Sequence, residues 1–498
     1  MNYRNLKQKK AWKTILPAAI TDNESAFYSE DSNQMERYKT QADFLREYYP
    51  SGHSIFDRIK YPDIYRTEDI PVLDDNGEPT GEVKHKTYVE LLPRYAFSFQ
   101  QIIALKQMIH LAGNETQCEL ASAQHNENDV DNFNRLKEGW AMKDMEITLF
   151  KAYNSVKVTG DAAVVFYMDN GEMKTKVLSY LYGDILYPHY DALGRISIFA
   201  RSFYSQDEQG NNTCEYLEVY DDTNITLLKR GVGEQRTFKQ KMLGVFGIDG
   251  YELVSQLPHG LNRIPIAYFR DENGPCWTAA QNAIDGYEFA FSQMVHSNQA
   301  FGFPIMTLQG ENVEAVHDLN GTIKMITLGP DDKADFMKMQ DASGSFFKQL
   351  DTLYKLIYEQ CFVVTPPEMK SGDLPAAALK ILYSPAYEKA TYDAQMFKPF
   401  LNDIAALFTL CYGIECQNTI GFDNLKVHWW IKPYIHINWS TTINDLAMAV
   451  QNGFLSKETA SQRIDEYATV GEYEKIIKEL KQQKQQNQQT TQNIGFTN

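Results

Sequence analysis

Apolar residues recur at helical spacing in several long segments and alternate at strand spacing in others, and this change of period divides the chain. Tyr95 to Leu111 carries apolar positions every three to four residues and ends at Gly113-Asn114, which predicts a helix. Asp129 to Lys151 predicts a second, with Phe133, Leu136, Trp140, Met145 and Leu149 on one side. The period then shortens. Ala162 to Met168 and Met173 to Tyr180 flank Asp169-Asn170-Gly171, a turn suited to positive φ, and so predict a β-hairpin. Further strands are expected at Ile196–Tyr204, Cys214–Tyr220, Ile225–Leu228 and Ile264–Phe269.

The middle returns to helical spacing. Ala279 to Ala300 predicts one long helix with an Ala280, Ile284, Tyr287, Phe291, Met294 stripe. Ser345 to Phe362 predicts another, with Phe346, Leu350, Leu353, Ile357 and Cys361. Between them, Phe303–Leu308 and Thr322–Leu328 are expected as short strands of a small α+β insertion. An antiparallel helix pair carrying that unit at its far end is the simplest geometry. Thr365 to Pro375 holds three prolines and a glycine and reads as an exposed loop. Ala376 to Tyr412 is helical in pattern, with kinks expected at Pro385 and Pro399. Val427–Trp439 is strand-like. Ile443–Gln451 and Lys457–Tyr467 are short helices, with Gly453 ending the first and Ser456 capping the second. The chain from about Lys481 is rich in Gln and Asn and is expected to be disordered. The fold class is α+β.

Composition narrows the function. The 498 residues exceed one ordinary core. With 48 basic and 65 acidic residues the net charge is −17, which excludes a generally basic nucleic-acid coat. No apolar run is long enough to span a membrane, and Lys13 and Pro17 interrupt the only segment resembling a signal-peptide core, Ala11 to Ile20. The six cysteines are scattered and fit neither a zinc pair nor a redox motif, so they read as reduced thiols.

Signatures of chemistry are missing. There is no phosphate loop, HExxH or GxSxG, and Gly231-Val232-Gly233 lacks the setting of a dinucleotide site. His428 and His436, eight residues apart on an expected strand, would stand roughly 26 Å apart, too far to share a metal. Glu215, Glu218, Asp221 and Asp222 cluster near an expected hairpin end. They read either as an acid–base or metal site or as a solvated strand edge. No cofactor is expected, and a binding or structural role is favoured over an enzyme.

Four segments, in order, resemble tailed-bacteriophage portal proteins. Lys151–Val165 (KAYNSVKVTGDAAVV) with its hairpin and Tyr182–Pro188 is similar to the family's wing, where a strand ends before a proline. Gly260–Phe269 (GLNRIPIAYF) resembles the strand leading into the first stem helix. Ser371–Lys380 (SGDLPAAALK) resembles the opening of the long helix after the tunnel loop, although Asp373-Leu374-Pro375 makes this pattern looser than the family's. Ile437–Ile464 resembles the late helical segment.

The resemblance, over about residues 90–470, implies a portal fold. Its parts would be an N-terminal arm and α/β wing (1–278), stem helices (279–300 and 342–363) around a small α+β clip (301–341), and a tunnel loop (364–375). A long kinked helix with a returning wing strand (376–440), a helical crown (441–480) and a disordered tail (481–498) would follow. It implies a homo-oligomeric, dodecameric ring at one capsid vertex of a virion, assembled in the host cytoplasm, with double-stranded DNA passing through its channel. Terminase, the major capsid and scaffold proteins, and head–tail connector proteins are the implied partners; no membrane is. Tunnel-loop residues Lys370, Ser371, Gly372 and Asp373 are expected at the channel. Lys348 and Lys355 either face the lumen or bridge protomers, and Asp331, Asp332 and Asp335 either contact partners through the clip or form a plain solvated loop. The basic segment Arg4–Lys13 reads as a DNA or scaffold contact or as a free tail. Two other readings are a carboxylate enzyme with its site in the β-rich half, and a different ring-forming neck connector.

Overall fold

A computed structural model describes residues 12–17, 27–28, 34–73, 79–121, 127–206, 213–231, 251–301, 305–309, 314–317, 323–327, 333–337, 343–365, 376–423, 425–434, 439–456 and 460. Two compact units form: Met1–Thr365 with Pro385–Tyr434, and Pro366–Ser384 with Ile435–Asn498.

In the first unit, β1 (Trp12–Pro17), β2 (Phe27–Tyr28) and β3 (Gln34–Lys39) form an antiparallel sheet of order β1-β3-β2. Helix α1 (Gln41–Tyr48) opens with a capping box of Thr40 and Asp43. Strands β4 (Ile64–Leu73) and β5 (Pro79–Glu90) make a long two-stranded ladder. Helix α2 (Phe99–Ala112) and β6 (Gln117–Leu120) follow.

The single helix expected over Asp129–Lys151 is instead two, α3 (Glu127–Met142) and α4 (Met145–Thr159). They are separated at Asp144, whose φ of 51° is left-handed. The break lets Trp140 Nε1 donate to Glu146 Oε1 at 2.7 Å. Gly160 (φ 84°) then caps α4 and turns the chain directly into β7 (Asp161–Asp169). The expected hairpin to β8 (Glu172–Leu178) forms on Asn170 (φ 53°) and Gly171 (φ 84°).

Strands β9 (Ile185–Tyr190), β10 (Ile196–Gln206), β11 (Thr213–Tyr220), β12 (Asn224–Gly231) and β13 (Glu252–Pro258) form one meander in sequence order. Pro188 does not end a strand, as expected, but lies inside β9. That strand is the sheet edge, where a missing N–H costs no ladder bond. Strand β14 (Ile266–Arg270) joins β7 and β8.

Helix α5 (Gln281–Phe301) and helix α6 (Ser343–Gln360) are antiparallel. Ala280 and Ile284 before and in the first turn of α5 share a core with Ile357 and Cys361 at the end of α6. Between them, β15 (Ile305–Gln309) pairs with β18 (Lys333–Met337), and β16 (Glu314–His317) nests inside with β17 (Ile323–Thr327). The expected stripe on α6 is buried at Leu350, Ile357 and Cys361.

Helix α7 (Ala376–Glu415) runs uninterrupted through Pro385 and Pro399. Its Phe397, Phe400, Leu401 and Phe408 fill the main core with Trp140, Tyr153, Phe166 and Trp429. Each such side chain contributes roughly 1.5–3 kcal/mol by leaving water. Helix α8 (Thr419–Asp423) leads to β19 (Val427–Trp430), which pairs with β6. The strand expected to reach Trp439 stops at Trp430, because β6 offers only four residues to pair with.

In the second unit, α9 (Trp439–Gln451) ends as expected at Gly453 (φ 76°), where Phe454 N–H bonds Ala449 C=O at 2.9 Å. Of the helix expected at Lys457–Tyr467 only Ala460 is described, buried and with its N–H on the Ser456 C=O at 2.9 Å, and the Gln-rich tail lies outside the described residues.

Candidate functional site

Helix α5 presents two adjacent stripes. The apolar one packs against an aromatic cluster: Phe97 and Phe99 meet the Tyr287 ring edge-on at 5.3 and 5.1 Å, and Phe97 meets Phe291 at 5.1 Å. One residue further round, Gln281, Asp285, Glu288 and Ser292 recur at intervals of four, three and four, so they also share a face.

This polar stripe is engaged along its length. Gln281 accepts from Gln100 Nε2 (3.2 Å) and donates to Asp285 Oδ1 (3.1 Å). Asp285 accepts from Ser54 (3.1 Å) and pairs with Lys60 (3.5 Å). Glu288 Oε1 accepts the Phe97 N–H (2.8 Å) and lies 2.7 Å from His53 Nδ1; both side chains are almost completely buried. His53 Nε2 lies 2.8 Å from the Glu47 carbonyl. Both ring nitrogens therefore face acceptors, the arrangement an imidazolium satisfies. Burial pulls the His53 pKa down, but the hydrogen bond and charge of Glu288 outweigh it and the net shift is upward. Glu47 is pushed up by burial, opposed by Lys39 at 2.5 Å, while Trp277 Nε1 donates to it at 3.1 Å. Ser292 Oγ accepts the Tyr95 N–H at 3.1 Å. The start differs from expectation: α2 begins at Phe99 rather than Tyr95, and the Tyr95 and Phe97 amides before it bond to α5.

A second buried network sits where α6 ends. Lys157 Nζ on α4 lies 2.5 Å from Asp393 Oδ2 on α7 and donates to Gln107 Oε1 on α2 at 3.1 Å. Gln107 Nε2 donates to the Cys361 carbonyl at 2.8 Å. Lys389 holds the other Asp393 oxygen at 2.8 Å. Phe362 (φ 56°) then closes the helix, with Val363 N–H on Tyr358 C=O at 2.9 Å. Four helices are thus tied together beside the point where the chain leaves α6.

The description "Phage portal protein, SPP1 Gp6-like" belongs to a family model that matches residues 29–490. The chain belongs to this phage portal family. Two similar solved structures are described as "Neck of empty GTA particle computed with C6 symmetry" and "Virion of native gene transfer agent (GTA) particle". The first is 13% identical, with a TM-score of 0.39, covering 72% of this chain and 87% of that one. The second is 11% identical, with a TM-score of 0.36, covering 72% and 86%. No curated protein matches.

Of the residues expected at a portal channel, Lys348 and Lys355 are both exposed on α6. Lys355 is paired with Asp351 at 2.7 Å, and the carboxylate raises the lysine pKa. Lys348, Asp351, Lys355 and Glu359 fall on one face at offsets of three, seven and eleven, alternating in sign with no net charge. Lys370, Ser371, Gly372 and Asp373, and Asp331 and Asp332, lie outside the described residues, as does most of Arg4–Lys13. Asp335 lies on β18 in register with Thr307.

The carboxylates of the β-rich half do not converge. Glu215 and Glu218 differ by an odd offset and so point to opposite faces of β11. Glu215 pairs with Arg230, and Glu218 with Arg201, which also holds Asp184 at 2.8 Å. Asp221 accepts the amides of Thr223 and Asn224 in a turn, and Asp222 is exposed. Among the described residues no group of three His, Cys, Asp or Glu could hold a metal. His428 stacks on Trp430, and His436 lies outside the described residues. Burial pushes the Cys118 thiol up to about 11 and those of Cys276, Cys361 and Cys411 to about 12, the opposite of nucleophile activation. No described helix is long and apolar enough to cross a membrane.

Sequence reasoning found the apolar stripes but missed the polar one and the Lys157–Asp393 pair. The 4-3-4 spacing of Gln281, Asp285, Glu288 and Ser292 was the available signal.

Proposed function

We propose that the chain is the protomer of a portal ring, about a dozen copies around an axis at one capsid vertex of a virion assembled in the host cytoplasm. Double-stranded DNA would pass along that axis during packaging and ejection. The observation that carries this is the family match across residues 29–490. In this reading α5 and α6 are the stem, residues 301–341 the clip, 364–375 the tunnel loop and 441–480 the crown. Terminase and later head–tail connectors dock on the clip, with Asp331, Asp332 and Asp335 as contacts, while the wing meets capsid and scaffold proteins. The protomer binds and guides rather than catalyses.

The charge pattern of α6 supports a conduit. Each cation fixed on a phosphate adds salt-dependent affinity, so a row of free lysines would clamp DNA. The alternating Lys348, Asp351, Lys355, Glu359 face instead offers a passing duplex no net attraction. Lys370 is the proposed DNA contact in the tunnel loop. Negative-stain electron microscopy with mass photometry of the purified chain tests the reading. A ring of about a dozen subunits with a central channel is expected, and a well-behaved monomer with a deep cleft overturns it.

A further inference from the structure

A cavity of about 550 Å³ opens in the first unit between the C-terminal end of α2, the first half of α4 and Ile431. Three features of its wall point to a ligand. The first is Glu146. Its Oε1 accepts from Trp140 Nε1 at 2.7 Å, and its Oε2 accepts the Thr116 N–H at 3.2 Å and the Thr116 hydroxyl at 3.1 Å. A carboxylate has about four lone-pair sites, so one is left, on Oε1. All three donors are neutral, and among the described residues no cation forms an ion pair with Glu146.

The second is Tyr153. Its ring packs on Phe397 at 4.7 Å, the residue is 1% exposed, and its buried hydroxyl has no hydrogen-bond partner. Tyr153 stands seven residues after Glu146, on the same side of α4. Helical side chains lean toward the N-terminus, which carries the hydroxyl along the cavity wall toward that carboxylate. Burial, and behind it the Glu146 charge, pushes the phenol pKa up, so the hydroxyl stays neutral and can both donate and accept. The third is the mouth, where the rings of Phe150 (41% exposed) and Tyr182 (49%) stand uncovered.

Charge decides the class of ligand. The charged residues on the wall are Glu115, Glu146 and Lys151, one negative in excess. Lys151, five residues after Glu146, leaves the helix roughly 140° round from it and is not placed as its counter-ion. The α2 C-terminus, whose Ala112 and Gly113 also line the cavity, carries the negative end of a helix dipole and adds to the preference for a cation. A guanidinium fits the rest of the wall. It offers five N–H donors in one plane, is weakly hydrated and stacks on aromatic rings. An apolar stem behind it has Leu149 and Ile431 to lie on.

We propose that this cavity binds a guanidinium on an alkyl stem, its head between Glu146 Oε1 and the Tyr153 hydroxyl and its plane against the Phe150 and Tyr182 rings. The head can belong to a free alkylguanidine or to an arginine side chain of another polypeptide. The site lies within one protomer, so it stands whether or not copies close into a ring.

Ligand-observed NMR titrations of the intact chain test this with butylguanidine, its neutral isostere butylurea, and the peptide acetyl-Gly-Arg-Gly-amide. Butylguanidine is expected to saturate with a Kd of about 1 mM or below, and butylurea to bind at least about tenfold more weakly. Tyr153→Phe removes only the unpartnered hydroxyl, and Tyr182→Ala changes an exposed ring, so both should keep the fold by circular dichroism. Each should weaken butylguanidine about three- to tenfold, and Lys151→Ala should not weaken it. A peptide that binds as tightly as butylguanidine assigns the head to an arginine of a partner, and one that fails where butylguanidine binds assigns it to a free small molecule; either result upholds the site. Butylurea binding equally well, or an affinity unmoved by both tyrosine variants, overturns the proposal. So does the absence of saturation by both guanidinium probes at about 20 mM, which leaves a cavity that holds water only.

Discussion

Replacing Asp393 should harm the fold more than replacing its partner Lys157, although the two form one ion pair. The Lys157 side chain is 3% exposed and has two partners, Asp393 Oδ2 at 2.5 Å and the neutral Gln107 Oε1 at 3.1 Å. Asp393→Leu removes the one opposing charge that Lys157 has among the described residues and strands a buried ammonium, which costs about 3–5 kcal/mol. Lys157→Met leaves Asp393 still held by Lys389 at 2.8 Å, on a side chain that reaches solvent. Its cost is that of a lost charge-assisted hydrogen bond and an unpaired Gln107 oxygen, about 1–3 kcal/mol. The double variant removes both charges and replaces them with apolar groups beside Phe397, so most of the Asp393→Leu penalty should be recovered. Trp140 and Trp429 lie in the core that α7 fills, so denaturation followed by tryptophan fluorescence reports on this region. Midpoint differences between variants are the quantity to compare, because a chain of two units does not unfold in one step. Equal costs for the two single substitutions, or a larger one for Lys157→Met, would refute the reasoning.

Three further outcomes follow from buried groups. Burial raises the Asp161 carboxyl from 3.8 to about 6, opposed by hydrogen bonds from Gln41 and Tyr268. At ~1.4 kcal/mol per tenfold change in proton affinity, the parent should lose about 2 kcal/mol relative to Asp161→Asn as pH rises from 4 to 7, the unfolded carboxyl being already half ionised at the lower value. Denaturation curves of the pair at both pH values check this, and a pH-independent difference contradicts it. His53, raised above its ordinary 6.5 by Glu288, stabilises the fold below that value and ceases to as pH rises through its folded pKa. The thermal midpoint advantage of the parent over Glu288→Gln should therefore be largest near pH 6 and shrink above it, and a constant gap would count against the imidazolium pair. A Cβ at Gly139 would stand 2.3 Å from Tyr412 Cζ, so Gly139→Ala should cost about 1–3 kcal/mol and be partly rescued by Tyr412→Leu.

These groups also show where the sequence was legible. The hairpin at Asp169-Asn170-Gly171 and the stripes of α5 and α6 are local: a turn dipeptide or a constant period determines each within a few residues. The break at Asp144 carries no Gly or Pro, so only the partners of Glu146 reveal it: Trp140 at 2.7 Å and Thr116 at 3.1 Å. The β4–β5 ribbon was invisible for the opposite reason. Thr67-Glu68-Asp69 and Lys84-His85-Lys86 have no apolar alternation, and the described side chains Tyr65 to Thr67 and Val83 to Val89 are exposed rather than part of the chain's own core.

The polar stripe of α5 is the sharpest case. Gln281, Asp285, Glu288 and Ser292 have the spacing of a helix face, but a solvent-facing row and a buried one read identically until the partner is known. His53 lies 235 residues away in sequence. An apolar contact tolerates neighbours of many shapes, whereas a buried carboxylate requires particular donors at particular distances. The apolar stripe therefore makes the helix pair, while the polar stripe fixes which segment lies against α5. Glu288 and Ser292 also hold the Phe97 and Tyr95 amides, on the stretch that continues from the root of the β4–β5 ribbon. The same stripe that was unreadable from sequence thus helps to set where the uncovered ribbon leaves the body.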